Sequence, residues 1–509
     1  MGIIKRQGLK SSIVNYVGVI IGVIFFNFVF PNIVSKEYLG LIGLLRNLMF
    51  VFAALPALGL GHLLLRYYAV WKDDKTTTHF NAFALVSMSI ALGIFSILFF
   101  LFKNEIISYY QKESALFIPY YFALIPLVVI FTFTQYFELF SLVKMRSAVP
   151  AFLREVVNRI LLILVFYLFI YHVIDEKYFV YGFVISYLLP FIILLIYAKY
   201  GLHFKAKSPT QFIEKTSNFK EYIHYSGGML LLTVFSTIHN FIDGIILPAY
   251  LGLSALAIYM PALVLGQMIQ VPYRSFALIS IPIIREAIVD NNIKKIKELN
   301  SSIALNLFLI GTFLFTLLVS NSDGIFSLIP PEFSAAKNVL YIVAFGRLFD
   351  MAFGLNSEIL NYSKYYRFII ILSGIMMAMT IALNYFLIPM YGINGAAIAV
   401  SISLIVFNIS KTIVIYQKFH FHCFSKHYLT LILISVVVIC ILHFVPMITF
   451  IKHHRFLNSC INIGFKGSIG AILFLIPTYF FKVSLDLNEF IKLIVSGKIF
   501  KGGHKMESL

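Results

Sequence analysis

Apolar segments long enough to cross a membrane follow one another along almost the whole chain. About fourteen of them approach the roughly 20 residues that an α-helix needs to span a bilayer. Because a backbone in lipid must satisfy its own hydrogen bonds, we expect these segments to be helices. In chain order they are predicted at Ser12–Phe30, Gly40–Leu64, Asn81–Leu101, Phe117–Phe137, Glu155–Val173, Phe179–Ala198, Tyr222–Leu247, Ala255–Ile284, Ser302–Ser320, Asn338–Asn356, Phe368–Leu387, Gly395–Ser410, Tyr428–Met447 and Ile461–Phe481.

Composition supports an all-α polytopic membrane protein. The chain is 60% hydrophobic and only 12% charged, whereas soluble domains carry about 25% charged residues. A net charge of +18 could suggest a nucleic-acid partner, but the charges lie between the apolar segments. We therefore expect no nucleic acid. The three cysteines are scattered and predict no disulfide framework. The basic head runs into a full-length span, so we expect no cleavable signal.

The basic residues between the spans alternate along the chain. Of the 40 lysines and arginines, about 28 fall in one set of alternate loops and about 7 in the other. The richer set includes Lys411, which follows the predicted twelfth span. Because cytoplasmic loops carry the excess of positive charge, this bias predicts an even number of helices with both termini cytoplasmic.

A further set of about five basic residues falls inside the predicted spans. Facing lipid, each would cost roughly 3 kcal/mol, so they must be paired or solvated. Glu155 precedes Arg159 by four residues and Asp350 follows Arg347 by three, so each pair can meet on one helix face. An alternative for Arg46, Arg159 and Lys466 is that they reach a membrane interface. The five are Arg46, Arg159, Arg274, Arg347 and Lys466.

Polar side chains share one face on each of two consecutive predicted spans. On the seventh span they recur at three- and four-residue spacing from Ser226 to Asp243, including Asn240. On the eighth span Gln267, Gln270 and Arg274 repeat the pattern. An acid and a base on such stripes favour the lining of a water-filled cavity. The alternative is a buried polar seam that only holds helices together.

The two halves of the chain share features about 210 residues apart, for example a Leu-Gly turn after the first and seventh spans. Six helices per half predict two six-helix bundles, arranged as parallel repeats around a central cavity, plus two extra C-terminal helices. The predicted divisions are a first bundle at 1–201, a cytoplasmic linker at 202–221, a second bundle at 222–419, and the last two helices with a cytoplasmic tail at 420–509.

Several segments resemble bacterial polysaccharide exporters of the Wzx type. They read YSGGMLLLTVFSTIHNFIDGIIL, RLFDMAFGLNSEILNYSKYYR and LNYFLIPMYGINGAAIAVSISLIVFN. The resemblance implies membership of the multidrug/oligosaccharidyl-lipid/polysaccharide exporter superfamily, with a V-shaped central cavity. It implies a flippase that moves an undecaprenyl-pyrophosphate-linked oligosaccharide across the bacterial inner membrane for O-antigen, capsule or exopolysaccharide synthesis. It also implies that Arg274 and Arg347 handle the anionic substrate.

The chemistry of such a substrate matches the polar residues of the spans. Pyrophosphate suits the planar donors of arginine, and sugars suit amides and hydroxyls. Asp243 and Asp350 are candidates for ion or proton coupling. The candidate cavity residues for substrate binding are Arg274, Arg347, Gln267, Gln270, Asn240, Arg46, Arg159 and Lys466.

We expect no catalytic residue, cofactor or metal site, since the chain has no Walker A, GxSxG or HExxH motif. The spacing of His420, His422, Cys423 and His427 could recruit a metal, but no matching ligand cluster accompanies it. The expected partners are the lipid-linked oligosaccharide, membrane lipids and polysaccharide-assembly proteins.

Two other functions stay open at this point. A drug/cation antiporter of the same superfamily would need an acid-dominated cavity, whereas bases outnumber acids here. A membrane polysaccharide polymerase or ligase would need a long outer loop for its catalytic residues, and the predicted outer loops are short.

Overall fold

The computed structural model describes residues 14, 15, 17–71, 74–215, 218–446, 455–484 and 486–489. Within these residues every regular element is a helix, which confirms the all-α prediction. The first ten elements are α1 (Val17–Asn32), α2 (Lys36–Ala54), α3 (Leu60–Tyr67), α4 (Lys75–Leu101), α5 (Lys103–Tyr110), α6 (Ala115–Val143), α7 (148–170), α8 (Glu176–Gly201), α9 (Pro209–Lys215) and α10 (Phe219–Leu251).

A 3-10 turn at Met268–Gln270 joins the first two of the remaining helices. These helices are α11 (Leu253–Gln267), α12 (Val271–Val289), α13 (Ile293–Ser320), α14 (Ser322–Phe326), α15 (Lys337–Met351), α16 (Asn356–Tyr362), α17 (Tyr366–Tyr391), α18 (Ile393–Phe419), α19 (His427–His443) and α20 (Arg455–Phe480).

Ten helical stretches of the described chain are long and apolar enough to cross a membrane, or eleven if the bent pair that ends in α15 and α16 is one span. The protein is therefore a polytopic helical membrane protein. The helices α1, α7 and α19 lie where three further spans were predicted. The total of fourteen and the arrangement as two six-helix repeats stay predictions.

The helices pack into two compact units. The first unit comprises Met1–Pro261 and Ser373–Val400, and the second comprises Ala262–Leu372 and Ser401–Leu509. The domain limits predicted from the sequence, which follow the repeat, stay predictions.

Helix α2 is central to the first unit. Its apolar window is 61% buried, against 22% for α4, so α4 leaves most of its side chains facing outward, as a helix in contact with lipid does. After α2 the chain unwinds and restarts at α3. Gly59 ends the break with a φ of 67°, and a Cβ there would lie 2.3 Å from the carbonyl oxygen of Ser226. The Ser226 hydroxyl donates a 2.6 Å hydrogen bond to the carbonyl of Leu58, so the break is fastened to α10.

The predicted linker at 202–221 folds onto the first unit. It contains α9, whose Phe212 is only 1% exposed among aromatic rings. Asn81 donates a 2.9 Å hydrogen bond to the carbonyl of Lys205. One buried phenylalanine and contacts to its backbone hold the described part of this polar segment in place.

The second unit has one continuous apolar core in which α13 packs against α15 and α19. The helical stretch Pro331–Met351, which ends in α15, meets α16 at a bend of 52°. The break between them includes Gly354, whose φ is 61°.

Side chains from three separate segments satisfy the backbone groups at this break. The Asn300 side-chain oxygen accepts a 2.7 Å hydrogen bond from the backbone N–H of Leu355. The Tyr428 hydroxyl donates a 2.9 Å hydrogen bond to the carbonyl of Ala352, and the Cys423 thiol donates to the same oxygen. A break inside an apolar stretch needs such partners wherever lipid surrounds it, because lipid offers none.

Candidate functional site

A charged cluster lies in the first unit, where α7 meets α6. Arg159 Nη2 is 2.7 Å from Glu155 Oε2, which confirms the pairing predicted from their spacing. Arg154 Nε is 3.0 Å from the other oxygen of Glu155, and Arg154 Nη1 is 2.6 Å from Glu138 Oε2. Glu155 is therefore shared between two arginines.

Local backbone geometry positions this cluster. Residues Leu153–Val157 form a π-helical turn inside α7, a feature that often re-aims side chains at functional sites. Helix α1 closes one side through Gly18 and Gly22. A Cβ at Gly18 would lie 2.6 Å from the Glu155 carbonyl oxygen, and one at Gly22 would lie 2.9 Å from Arg159 Nη1. Only glycines allow α1 to approach so closely.

Arg46 adds a third guanidinium from α2. Arg46 and Arg159 are near enough to repel each other electrostatically, and both interact with the Tyr187 ring hydroxyl. Arg46 Nε and Arg159 Nη1 are buried and have no hydrogen-bond partner among the described residues. Buried N–H groups of this kind are nearly always paired, so the pair is suited to an acceptor from outside the chain.

A second polar network lies in the second unit. Arg347, 6% exposed, donates a 3.0 Å hydrogen bond from Nη1 to Gln270 Oε1. The amide nitrogen of Gln270 donates to Asp350 Oδ2. Asn408 donates a 2.8 Å hydrogen bond to Asp350 Oδ1. The structure thus brings Gln270, predicted on one polar stripe, together with Arg347 and Asp350, predicted to share a face of another helix.

The sequence analysis missed other members of this network. Lys411, which we placed in a cytoplasmic loop, is in α18 and is only 4% exposed, so that placement is wrong. Its Nζ donates a 2.8 Å hydrogen bond to Ser357 and lies 4.4 Å from the centre of the Phe407 ring. Tyr273 donates to Glu358 Oε2 close by. The apolar window ends at Ser410, so hydropathy alone could not separate Lys411 from the loop that follows.

The remaining predicted residues lie in varied surroundings. Arg274 is exposed on α12, and Gln267 is partly buried. Asn240 is exposed and bonds back to the carbonyl of Ser236 in its own helix. Lys466 is 9% exposed on α20.

Asp243 is a buried acid of the first unit, 2% exposed. It accepts a 2.6 Å hydrogen bond from Tyr259 and a 2.8 Å hydrogen bond from the backbone N–H of Gly244. It therefore belongs to a tightly bonded site on α10.

The histidine-rich loop after α18 has a structural role at one position. Cys423 is 4% exposed, and burial raises the pKa of its thiol to about 11. Among the described residues no group of three or more His, Cys, Asp or Glu side chains is arranged to hold a metal ion.

A family model described as "Polysaccharide biosynthesis protein" matches residues 4–288, more than half of the chain. The chain belongs to this family. No curated protein sequence matches it.

Solved structures show which fold this family member has. The lipid II flippase MurJ in its inward closed conformation superposes with a TM-score of 0.68 at 17% identity, covering 93% of this chain and 98% of MurJ. The Vibrio cholerae MATE transporter VcmN in its bent form gives 0.55 at 13% identity, over 82% and 98%. A MOP superfamily transporter from Pyrococcus furiosus gives 0.53 at 15% identity, over 82% and 95%. The polysaccharide biosynthesis protein thus has the MurJ/MATE-like fold of the MOP superfamily, as its sequence resemblance implied.

Proposed function

We propose that this protein is a flippase that moves an undecaprenyl-pyrophosphate-linked oligosaccharide across the bacterial inner membrane by alternating access. Membership of the polysaccharide biosynthesis family supports this proposal, as does a fold shared with a lipid II flippase. The product would serve O-antigen, capsule or exopolysaccharide assembly. Both termini would be cytoplasmic, and the proteins that assemble the polysaccharide would be partners.

The observation that carries the proposal is the pair of unpartnered N–H groups on Arg46 and Arg159. Leaving a buried charged donor unpaired costs about 1–3 kcal/mol or more, whereas a hydrogen bond from a charged donor contributes about 1.5–3 kcal/mol. A pyrophosphate presents several oxygens that accept planar guanidinium donors. Binding such a group would satisfy both arginines at once.

The charge balance of the same cluster argues against the drug/cation antiporter. Three arginines, at 46, 154 and 159, face two carboxylates, Glu138 and Glu155. A net positive cluster repels a cationic drug and attracts an anion. The MATE-like fold alone does not favour the antiporter, because MurJ has the same fold.

The other predicted residues take supporting roles in this proposal. The side chain of Arg274 is exposed on α12, so in this proposal it stays bound to the pyrophosphate while the substrate moves. Gln267 and Asn240 suit sugar hydroxyls, and Lys466 adds a cation. Arg347 and Gln270 would act on the substrate only if the second network opens during transport.

Asp243 and Asp350 stay our candidates for ion coupling. Asp243 is buried and bonded to Tyr259, so binding or losing a cation there would alter the α10–α11 contact. Asp350 is bonded to Gln270 and Asn408, and so joins α15 to the turn between α11 and α12 and to α18.

The test measures polysaccharide export in cells that lack the native gene and carry Arg46→Gln, Arg159→Gln or the double variant. Arg46 forms no ion pair with a described carboxylate, and Glu155 keeps Arg154 when Arg159 is replaced, so these variants should fold. We expect lipid-linked oligosaccharide to accumulate at the inner leaflet and export to fall about tenfold or more, since each 1.4 kcal/mol is a factor of ten.

Arg146→Gln is the matched control, because Arg146 is exposed in the same unit. It should export normally. Membrane abundance is measured for every variant. Normal export by the double variant at normal abundance would overturn the proposed role of these arginines.

A further inference from the structure

Glu358 lies in the second unit, just after a break between two helices. It lies on α16, the short half-helix that follows the break in the bent span. Because the chain unwinds at residues 352–355, α16 can change its angle without distorting α15. Hinges of this kind absorb the backbone change when a helix moves.

Helices α16 and α12 share an apolar core that includes Ile359, Leu360 and Ile284. Beside this packing, two contacts that differ in chemistry link them. At one, the Tyr273 hydroxyl donates a hydrogen bond to Glu358 Oε2. At the other, the Arg285 guanidinium lies 4.1 Å from the centre of the Tyr362 ring. The first contact depends on the charge of Glu358, since a hydroxyl binds a carboxylate about twice as strongly as a neutral acid. The second contact does not.

Three helices contribute the ionisable groups around Glu358. Lys411 of α18 and Asp350 of α15 act on it electrostatically, and Tyr273 of α12 bonds to it. Lys411 is buried, yet in the described part of the chain it bonds to Ser357 and makes no direct ion pair with either carboxylate. With Arg347 included, two bases face two acids. Adding one proton would therefore leave the network with an excess positive charge.

We propose that Glu358 is a proton-binding site whose deprotonated form latches α16 to α12 through Tyr273, and whose protonation by water-borne protons releases that latch. The released Tyr273 hydroxyl and the neutral carboxyl then separate, and α16 turns at the break. The inference rests on the proposed transport function, for which it supplies a means of linking proton movement to a helix movement. It differs from coupling at Asp243 or Asp350, because only Glu358 lies beyond the break.

Proton binding is tested first, on purified protein in liposomes without substrate. Infrared difference spectra between acid and neutral pH report the carbonyl stretch of each acid that gains a proton. We expect Glu358→Gln to lose one such signal. Glu286→Gln is the matched control, since Glu286 lies on α12 with a 64% exposed side chain, and it should keep the signal.

Tyr273→Phe and Lys411→Gln keep the acid and remove its two stabilising neighbours. Each should raise the proton affinity of Glu358 about threefold to tenfold, because each favours the charged form in the native protein. Lys411→Arg should restore the native midpoint. A role that is purely structural would change stability in these variants without moving the midpoint.

Movement is tested by spin labels at Val289 on α12 and Asn361 on α16, both exposed. The distance between the labels should change with pH in the native protein. In Glu358→Gln it should stay at the acid value at every pH. The proposal is overturned if Glu358→Gln keeps every infrared signal, or if its label distance still follows pH as in the native protein.

These measurements need no substrate, so they are independent of the proposed function. If Glu358→Gln loses the infrared signal and the pH-dependent distance change but exports polysaccharide normally, the latch stands and its role in transport is refuted. If the arginine variants block export but Glu358→Gln titrates as the native protein does, the proposed function stands and the latch is refuted.

Discussion

Arg347 Nη1 lies 3.0 Å from Gln270 Oε1 and donates a hydrogen bond to it. The same amide donates through its nitrogen to Asp350, so one neutral side chain links a base and an acid from the neighbouring helix. Removing the amide would take one hydrogen bond from each of these charged groups, and hydrogen bonds to charged groups contribute about 1.5–3 kcal/mol each.

We therefore expect Gln270→Met, which keeps the side-chain volume, to lower thermal stability in detergent. Gln267→Met is the matched control, since Gln267 is partly buried, as Gln270 is, but takes no part in the bridge between Arg347 and Asp350, and it should cost less. Equal stability of the two variants would show that the amide bridge contributes little.

Arg274 should separate a substrate role from a structural one. Its side chain is exposed, so Arg274→Ala should leave membrane abundance unchanged while reducing export about tenfold, the effect of losing about 1.4 kcal/mol of binding. Arg274→Lys should keep part of the activity, because lysine retains the charge but loses the planar fork. The buried Arg347 should respond differently, with Arg347→Ala reducing abundance as well. Full export by both alanine variants would contradict an arginine-lined path.

The close approach of α1 to α7 predicts a graded series of glycine variants. Gly18→Ala should be the most destabilising, by about 1–3 kcal/mol, because its new methyl meets the backbone oxygen of Glu155. Gly22→Ala should cost less, since it meets the mobile end of Arg159. Gly93→Ala meets nothing within 4 Å and should be neutral or gain up to about 1 kcal/mol from helix propensity. Melting can be followed by the fluorescence of Trp71, the single tryptophan. The reverse order would exclude this packing.

Asp243→Asn should slow transport or change its dependence on proton or sodium gradients. The amide keeps the shape, and its oxygen can accept from the N–H of Gly244 while its nitrogen donates to the Tyr259 hydroxyl, so protein levels should stay normal. Tyr259→Phe is a useful companion, because it removes the same hydrogen bond and leaves the charge. If Asp243→Asn transports with unaltered gradient dependence in liposomes, the acid has a structural role.

Topology can be tested with single cysteines in a cysteine-free background. Replacements at Asn32 and Lys112 should react with a membrane-impermeant reagent in intact cells, and replacements at Ser208 and Asn291 should not. All four positions are exposed, so accessibility follows the side of the membrane. The buried Ser322 would be a poor choice despite its predicted outer location. Labelling at Ser208 would refute both the cytoplasmic linker and the fourteen-span count.

Sequence reasoning performed well where the relevant contact is local. The spacing of Glu155 and Arg159 within one helix predicted their ion pair. Hydropathy located the long spans, since lipid imposes the same demand on every helix.

Contacts between distant segments were beyond that reasoning. Nothing in the order of residues shows that Arg46 lies near Arg159, or that Lys411 reaches Ser357. The break after α15 was also missed, since a glycine inside an apolar run reads as helix until its neighbours are known. In each case the outcome depends on which side chains a distant helix brings close.

The break between α15 and α16 has a consequence for how the protein is made. Its carbonyl at Ala352 depends on Tyr428, which is synthesised 76 residues later, while its N–H at Leu355 depends on Asn300, made 55 residues earlier. The ribosome therefore delivers one support before the break and the other only after two more long helices have emerged. Until α19 inserts, this stretch lacks part of its final bonding, and a chain truncated before Tyr428 would present an incomplete span to the quality-control proteases of the membrane.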